Sequence, residues 1–143
     1  MIKVSKMADY SVVMLSCFVS GTVDQIWSAN DISNKTSLPL PTVSKILKLL
    51  VKGKVLVSHR GVQGGYSLSR FPDEITVADI ITAIDGPIAL TACVDDTDDC
   101  SVESICPMSG GWDTLNAKIK KSFEEVNLRD IASPIDFITG YDK

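Results

Sequence analysis

Residues 38–50 read LPLPTVSKILKLL, and this stretch decides the fold. Proline fixes the backbone dihedral φ and is tolerated in the first turn of a helix, so the two prolines predict a tight connection and a new helix from about Pro41. Within TVSKILKLLVKGK the apolar residues recur three or four positions apart, which predicts a single buried stripe that ends before Gly53. The stripe consists of Val43, Ile46, Leu47 and Leu50, and the opposite face carries Thr42, Ser44, Lys45, Lys48 and Lys52.

The segments on either side of this helix predict a winged helix-turn-helix. Upstream, an apolar stripe predicts a helix from about Met7 to Ser20, and SANDISNKT (28–36) reads as a short polar helix. Downstream, VLVSHR and YSLSR alternate apolar and polar residues around GVQGG, which predicts two strands joined by a turn. A further helix follows in TVADIITAIDG, with Thr76 and Asp79 at capping-box spacing. The expected fold class is mostly α with a small β-wing (α+β).

Composition and charge limit the classes of function. Hydrophobic residues make up 45% of the 143 residues and charged residues 22%, which is typical of a soluble globular protein. No run approaches the roughly 18 apolar residues of a membrane helix, so no membrane association is expected and a cytoplasmic location is predicted. Residues 1–72 hold nine Lys and Arg against three Asp and Glu, whereas residues 73–143 hold five against fifteen. The basic half indicates a module that binds a polyanion.

The layout predicts which side chains contact double-stranded DNA. In a winged helix-turn-helix the third helix enters the major groove with its N-terminal end first, and the glycine-rich turn of the wing suits the narrow, negative minor groove. The alternative interpretation is a solvated helix face and an ordinary hairpin. The predicted contacts are Thr42, Ser44, Lys45 and Lys48 in the helix and His59, Arg60, Gln63 and Gly64 in the wing.

Three of the four cysteines lie in the acidic stretch CVDDTDDCSVESIC, residues 93–106. Thiolates are the main ligands of iron–sulfur clusters, whereas structural zinc sites usually use ligands paired two to four residues apart, a spacing that is absent here. The pattern favours an iron–sulfur site on Cys93, Cys100 and Cys106, with zinc or another metal and a thiol redox sensor as alternatives. The remaining cysteine, Cys17, falls on the apolar stripe of the first helix and is expected in the core.

A final helix is predicted over SGGWDTLNAKIKKSFEEVNLRD. No other predicted element remains to cover its apolar seam, so we expect a second copy of the chain to do so. The seam consists of Trp112, Leu115, Ile119, Phe123 and Val126. The predicted organisation is a DNA-binding domain over residues 1–86, a cysteine loop over 87–108, a long C-terminal dimerisation helix over 109–131 and a tail over 132–143.

These residues resemble the IscR and NsrR group of winged-helix regulators, the Rrf2 family, especially regulators of the SUF iron–sulfur assembly system. The resemblance covers about residues 1–130 and depends on LPLPTVSKILKLL, RGVQGGYSLSR, ITVADIITAIDGPIALTACV and three cysteines before a Trp-bearing helix. It implies a homodimeric DNA-binding repressor or activator with a 2Fe–2S cluster, or in some members a 4Fe–4S cluster. The three ligands of that cluster correspond to Cys93, Cys100 and Cys106.

The resemblance also concerns the fourth ligand of the cluster. In members where a histidine completes the site, it lies three residues after the last cysteine, and that position here is Ser109. In nitric-oxide-sensing members the ligand is an aspartate near the N-terminus of the other subunit, and Asp9 in VSKMADYSV occupies the matching place. The alternative for Asp9 is an ordinary exposed acid near a helix N-terminus, where the helix dipole favours it.

Together these observations predict a cytoplasmic, homodimeric transcription regulator that binds a pseudo-palindromic operator. We expect it to repress iron–sulfur assembly genes in response to cluster, iron or redox status. The sequence contains no catalytic constellation, so an enzyme is not expected. The alternatives are a metal-free winged-helix regulator with a thiol switch and, from another class, an iron–sulfur carrier or scaffold protein.

Overall fold

The computed structural model describes residues 2–22, 24–95, 100–108 and 110–132. This part of the chain forms six α-helices and one antiparallel sheet of two strands, so the predicted fold class is confirmed. Three short 3₁₀ turns occupy Pro72–Glu74, Ala92–Val94 and Glu103–Ile105. The main elements are α1 (Lys6–Val19), α2 (Ala29–Thr36), α3 (Leu40–Lys52), β1 (Leu56–His59), β2 (Gly65–Leu68), α4 (Val77–Asp85), α5 (Gly111–Glu124) and α6 (Leu128–Ile131).

The first three helices begin and end where the sequence predicts. Ser5 accepts a hydrogen bond from the Ala8 N–H at 3.1 Å and starts α1, since a serine oxygen can satisfy a free N–H of the first turn. Ser28 and Asp31 form a capping box at the start of α2. After α2 the chain turns at Ser37, whose φ of 59° is left-handed, and α3 then follows Pro39 directly.

The core lies between α1, α2, α3 and α4. The four residues of the predicted α3 stripe are all 0% exposed, which confirms the helical period. Cys17 is also 0% exposed, as expected, and packs in the same cluster. Gly53 ends α3 where an added Cβ would overlap the Ala83 side chain, so only a glycine lets this end of α3 approach α4 so closely. The cluster includes Met14, Leu15, Cys17, Phe18, Ile32, Val43, Ile46, Leu47, Leu50, Ile80 and Leu128.

The two strands form the predicted wing. Leu56 pairs with Leu68, and His59 pairs with Gly65 at the other end of the ribbon. Leu56 is 2% exposed and Leu68 4% exposed, so the base of the wing is part of the core. Residues 60–63 at the tip are exposed.

The C-terminal helix is shorter than predicted. It ends at Glu124, because Asn127 and Asp130 form a capping box that starts α6 as a separate helix. The Leu128 N–H also donates to the Ile75 carbonyl at 2.7 Å, which directs the chain back towards the core. Residues 133–143 of the predicted tail lie outside the described residues. Among the described helices, none is long and apolar enough to span a membrane.

The apolar seam of α5 is partly covered within the chain, which corrects the expectation that no other element is left to cover it. Ile119 and Phe123 are half-buried and line a cavity with Ile81 and Leu90. Trp112 is 39% exposed and Leu115 is 43% exposed. Trp112 and Leu115, together with Val126 at the far end, which is 38% exposed, therefore remain available to a second copy. Dimerisation through this seam stays a prediction.

Candidate functional site

The exposed face of α3 presents the side chains that the sequence predicts for DNA contact. Lys45 and Lys48 are exposed, and Thr42 and Ser44 are half-buried nearer the N-terminal end of α3. The buried stripe lies on the other side of the helix. The ammonium groups are therefore available to phosphates, and the two hydroxyls lie at the end of α3 that enters the groove in this class of fold.

The predicted wing residues lie at the far end of the ribbon from the core. Arg60 and Gln63 are exposed, and Gly64 is half-buried. The exposed His59 has its Nε2 2.8 Å from the Ser67 hydroxyl on the facing strand. That contact engages one ring nitrogen, so Nδ1 is the ring nitrogen that remains for the predicted DNA contact.

The base of the wing is held by contacts that the sequence analysis missed. The backbone N–H of Trp27 donates to the Tyr66 carbonyl, and the backbone N–H of Tyr66 donates to the Trp27 carbonyl, both at 2.8 Å. An added Cβ on Gly65 would lie 2.5 Å from the Trp27 carbonyl oxygen, so a glycine is needed for this approach. The Trp27 ring also packs near Phe18, and the Lys35 ammonium lies 5.0 Å from its centroid. The sequence did carry a signal for Trp27, which directly precedes Ser28, the N-cap of α2. An apolar residue at that position often packs against the first turns of the helix.

Arg70 is the second missed residue, and it joins the wing to α4. Its guanidinium donates to the Asp79 carboxylate at 2.7 Å, to the Glu74 carbonyl at 3.1 Å and to the Lys54 carbonyl at 3.2 Å. The same Asp79 oxygen accepts the Thr76 N–H at 2.9 Å in the capping box of α4. One side chain thus connects the end of β2, the loop before β1 and the helix that leads to the cysteines.

The three clustered cysteines line one small cavity. Cys93, Cys100 and Cys106 are half-buried free thiols around a space of about 30 Å³. Glu103 and Asp113 line it as well, so carboxylates lie beside the thiols. In the described residues, no three side chains of His, Cys, Asp or Glu stand close enough to hold a single metal ion. A cluster of two or more irons is wider than one ion, so its ligands stand further apart than those of a single ion.

The structure does not place Asp9 beside the cysteines of its own chain. Asp9 is exposed in the first turn of α1 and faces a groove formed with Val12, Ile81 and Ile131. Its predicted role as a ligand for the other subunit stays a prediction. Ser109, the position matching the histidine ligand, lies outside the described residues.

Cys17 differs from the clustered cysteines in its surroundings. Burial raises the pKa of the Cys17 thiol, and this effect outweighs the opposing influence of the Lys35 charge. The neutral thiol is therefore favoured, and a neutral buried thiol is a poor nucleophile and metal ligand. The geometry separates one core cysteine from three cysteines around a cavity.

Comparison with known proteins gives consistent relatives. Residues 4–134 match the Rrf2 family, described as "Iron-dependent Transcriptional regulator". A Mycobacterium tuberculosis protein named as a putative HTH-type transcriptional regulator is 32% identical over 133 residues, which are 91% of this chain and 81% of the relative. Members of this family are transcriptional regulators and not enzymes, which confirms that expectation.

Two solved structures share the fold. IscR of T. potens is 25% identical with a TM-score of 0.63, over 91% of this chain and 85% of that chain. CymR, the global cysteine regulator of B. subtilis, is 23% identical with a TM-score of 0.69, over 92% and 97%.

Proposed function

Because the chain belongs to the Rrf2 family of transcriptional regulators, we propose that it is a homodimer whose affinity for DNA responds to an iron–sulfur cluster. Cys93, Cys100 and Cys106 hold the cluster, and α3 and the wing bind a pseudo-palindromic operator. The observation that carries this proposal is the arrangement of three free thiols around one cavity, apart from the core thiol. The description of the family as iron-dependent supports it.

The residues of the cavity fit an iron–sulfur cluster by their chemistry. Thiolates are the usual protein ligands of such clusters, and the three thiols have no disulfide partner. The cavity of about 30 Å³ has to widen to accept a cluster. Its walls consist of 3₁₀ turns, loop and the start of α5, and loop segments can move without breaking a strand ladder or a long helix. When bound, the cluster supplies a redox-active group that oxidation or iron shortage removes.

For the fourth ligand we propose Asp9 of the partner subunit. Its carboxylate is an oxygen donor, and it is exposed at the start of α1, away from the cysteine cavity of its own chain. A ligand contributed by the other subunit makes the relative orientation of the two DNA-binding domains depend on the cluster. A site with three thiolates and one carboxylate is also more labile than a site closed by four thiolates, which suits a sensor.

The proposed target is the set of iron–sulfur assembly genes, with the protein as their repressor. The exposed Lys45 and Lys48 supply sequence-independent affinity through phosphates. Thr42, Ser44 and the wing contribute the contacts to bases and to the minor groove. The acidic residues near the cysteines keep the cysteine segment away from DNA phosphates.

An anaerobic purification tests the proposal. We expect about two irons and two sulfides per chain, with the visible absorption of a 2Fe–2S cluster. Cys100→Ala removes both the absorption and the iron, whereas the control Cys17→Ala changes a cysteine outside the cavity and retains them. A wild-type protein without iron that also fails to take up iron and sulfide contradicts the proposal.

A metal-free thiol switch is the second candidate function, because three half-buried thiols share one narrow cavity. It predicts a colourless protein that loses two titratable thiols on mild oxidation, together with a change in DNA affinity. An iron–sulfur carrier predicts a cluster without tight, sequence-dependent DNA binding. The same preparations therefore separate all three functions.

A further inference from the structure

Asn116 is a buried amide on the otherwise exposed middle of α5. Its side chain is 7% exposed, while Leu115 and Ala117 on either side are exposed. The Asn116 Oδ1 accepts the Leu90 N–H at 3.0 Å, and its Nδ2 donates to the Ile88 carbonyl at 2.9 Å. The carboxamide thus pairs with the backbone of residues 88–90 as a neighbouring strand would.

This amide links α5 to the segment that leads into Cys93. In the described part of the chain, the Leu90 N–H and the Ile88 carbonyl have no other hydrogen bond. Both hydrogen bonds are partly buried, and backbone groups withdrawn from water need partners, so the Asn116 side chain helps to fix the position of the segment. A side chain that could not both donate and accept would leave one of these groups unpaired.

The segment continues directly into the thiol of Cys93. The Thr91 Oγ1 lies 3.1 Å from the Cys93 Sγ, and the Val94 N–H donates to the Thr91 carbonyl at 3.1 Å. Two residues separate Leu90 from the cysteine, so a displacement of Leu90 moves this wall of the cavity. Asp113 lines the same cavity and lies one helical turn before Asn116 on α5.

We propose that Asn116 is a positioning residue that fixes the Cys93 thiol relative to α5 and thereby sets the width of the cysteine cavity. A role of Asn116 in holding a cluster ligand rests on the proposed function. Its role in positioning the Cys93 thiol relative to α5 does not depend on a bound metal. Because α5 carries the exposed Trp112 and Leu115, Asn116 also connects the cavity to the predicted dimer surface.

The test measures the alkylation rate of each cysteine by iodoacetamide in metal-free, reduced protein, with mass spectrometry of the peptides. In Asn116→Ala we expect the Cys93 rate to rise roughly tenfold, as two hydrogen bonds no longer hold the segment. The rate of Cys93 rises more than that of Cys106, which lies on another segment of the cavity wall, and the rate of the core residue Cys17 stays unchanged. Asn116→Asp keeps an acceptor for the Leu90 N–H and loses the donor to Ile88, so it gives an intermediate rate.

Ser122→Ala is the matched control, because it removes a side-chain hydrogen bond from the same helix, to the Lys118 carbonyl, without touching the segment. An unchanged Cys93 rate in both Asn116 variants overturns the proposal. A rise at all cysteines, Cys17 included, also overturns it, since that indicates general unfolding. If Asn116→Ala does not fold, Asn116→Asp decides by the same rates.

A second measurement separates this proposal from the proposed function. For anaerobically loaded protein, Asn116→Ala should lose its visible absorption to a chelator several-fold faster than the wild type. A wild-type protein that never takes up a cluster refutes the proposed function, and the alkylation rates still decide the role of Asn116. A loaded Asn116→Ala with wild-type stability to the chelator refutes a role in holding the ligand.

Discussion

Replacing Lys48 with alanine tests the DNA-binding face directly. Lys48 is exposed and lies opposite the buried stripe of α3, so truncation removes charge without opening the core. In a dimer the change removes two lysines, one from each recognition helix. If each neutralises one phosphate, the slope of log affinity against log salt concentration falls by about 1.8.

That slope translates into a measurable difference in affinity. Between 50 and 200 mM salt, the wild type should lose roughly twelvefold more affinity than the Lys48→Ala variant does. The loss caused by Lys48→Ala at low salt should be equal for operator and random DNA, because phosphate contacts carry no sequence information. Adding Lys45→Ala should reduce the slope by a similar further amount.

Fluorescence anisotropy of labelled operator and random duplexes at several salt concentrations measures both the affinity and its salt slope. Lys120→Ala is the matched control, because it removes the same charge from an exposed position on α5, outside the DNA-binding face. We expect the control to leave the slope unchanged. A Lys48→Ala variant with the wild-type slope and affinity would refute the assignment of α3 as the recognition helix.

Three further predictions concern stability and assembly. Arg70→Met should lower the free energy of unfolding in urea by about 1–2 kcal/mol, because it removes a half-exposed ion pair and two hydrogen bonds to carbonyls. Arg129→Met breaks a more exposed ion pair and should lower the free energy of unfolding clearly less; equal losses in the two variants would contradict this. Burial raises the pKa of the Cys17 thiol, so the folded state holds this proton more tightly than the unfolded chain does. The resulting contribution to the free energy of unfolding is fully present below the unfolded thiol pKa of about 8.5. It is lost as the pH rises from there through the folded pKa. Between pH 7 and pH 9.5, the urea midpoint of unfolding should therefore decrease more in the wild type than in Cys17→Ala. An identical decrease in the two proteins would exclude the effect. Leu115→Glu places a charge on the exposed part of the α5 seam and should convert a dimer to the 15.4 kDa chain in light scattering, whereas Lys118→Glu should not; a Leu115→Glu protein of unchanged mass would exclude this surface.

The parts of the fold that depend on local pattern could be predicted from the sequence. The α3 stripe follows from the helical period, and the starts of α2 and α4 follow from Ser28 and Thr76 with their partners three residues on. Each of these signals lies within a few residues of the feature it specifies. Burial of Cys17 could be predicted for the same reason, since it shares the apolar stripe of α1.

The contacts between distant segments could not be predicted in this way. The hydrogen bonds of Trp27 to Tyr66, of Arg70 to Asp79 and of Asn116 to Leu90 form only after the helices pack. Asn116 and Arg70 have polar side chains at positions where the pattern alone predicts exposure. The early end of α5 depends on Asn127, which caps the start of α6. The apolar seam continues to Val126 just before it, so the seam alone predicts a longer helix.

The cysteine segment lies between these two cases. Its composition predicted a shared site, and the structure arranges the three thiols around one cavity. The identity of the bound group depends on chemistry that spacing does not encode. Arg70 joins the wing to α4, and Asn116 joins α5 to residues 88–90, which lead into Cys93.

The most direct test of the account compares operator affinity for anaerobically loaded and cluster-free protein, using a duplex selected from random DNA with the wild type. A change of about tenfold or more in either direction is expected, within the usual range of coupling between two sites. Cys100→Ser should bind with one affinity under both treatments. Equal affinities of the loaded and cluster-free wild type would contradict the claim that the cysteine cavity controls DNA binding.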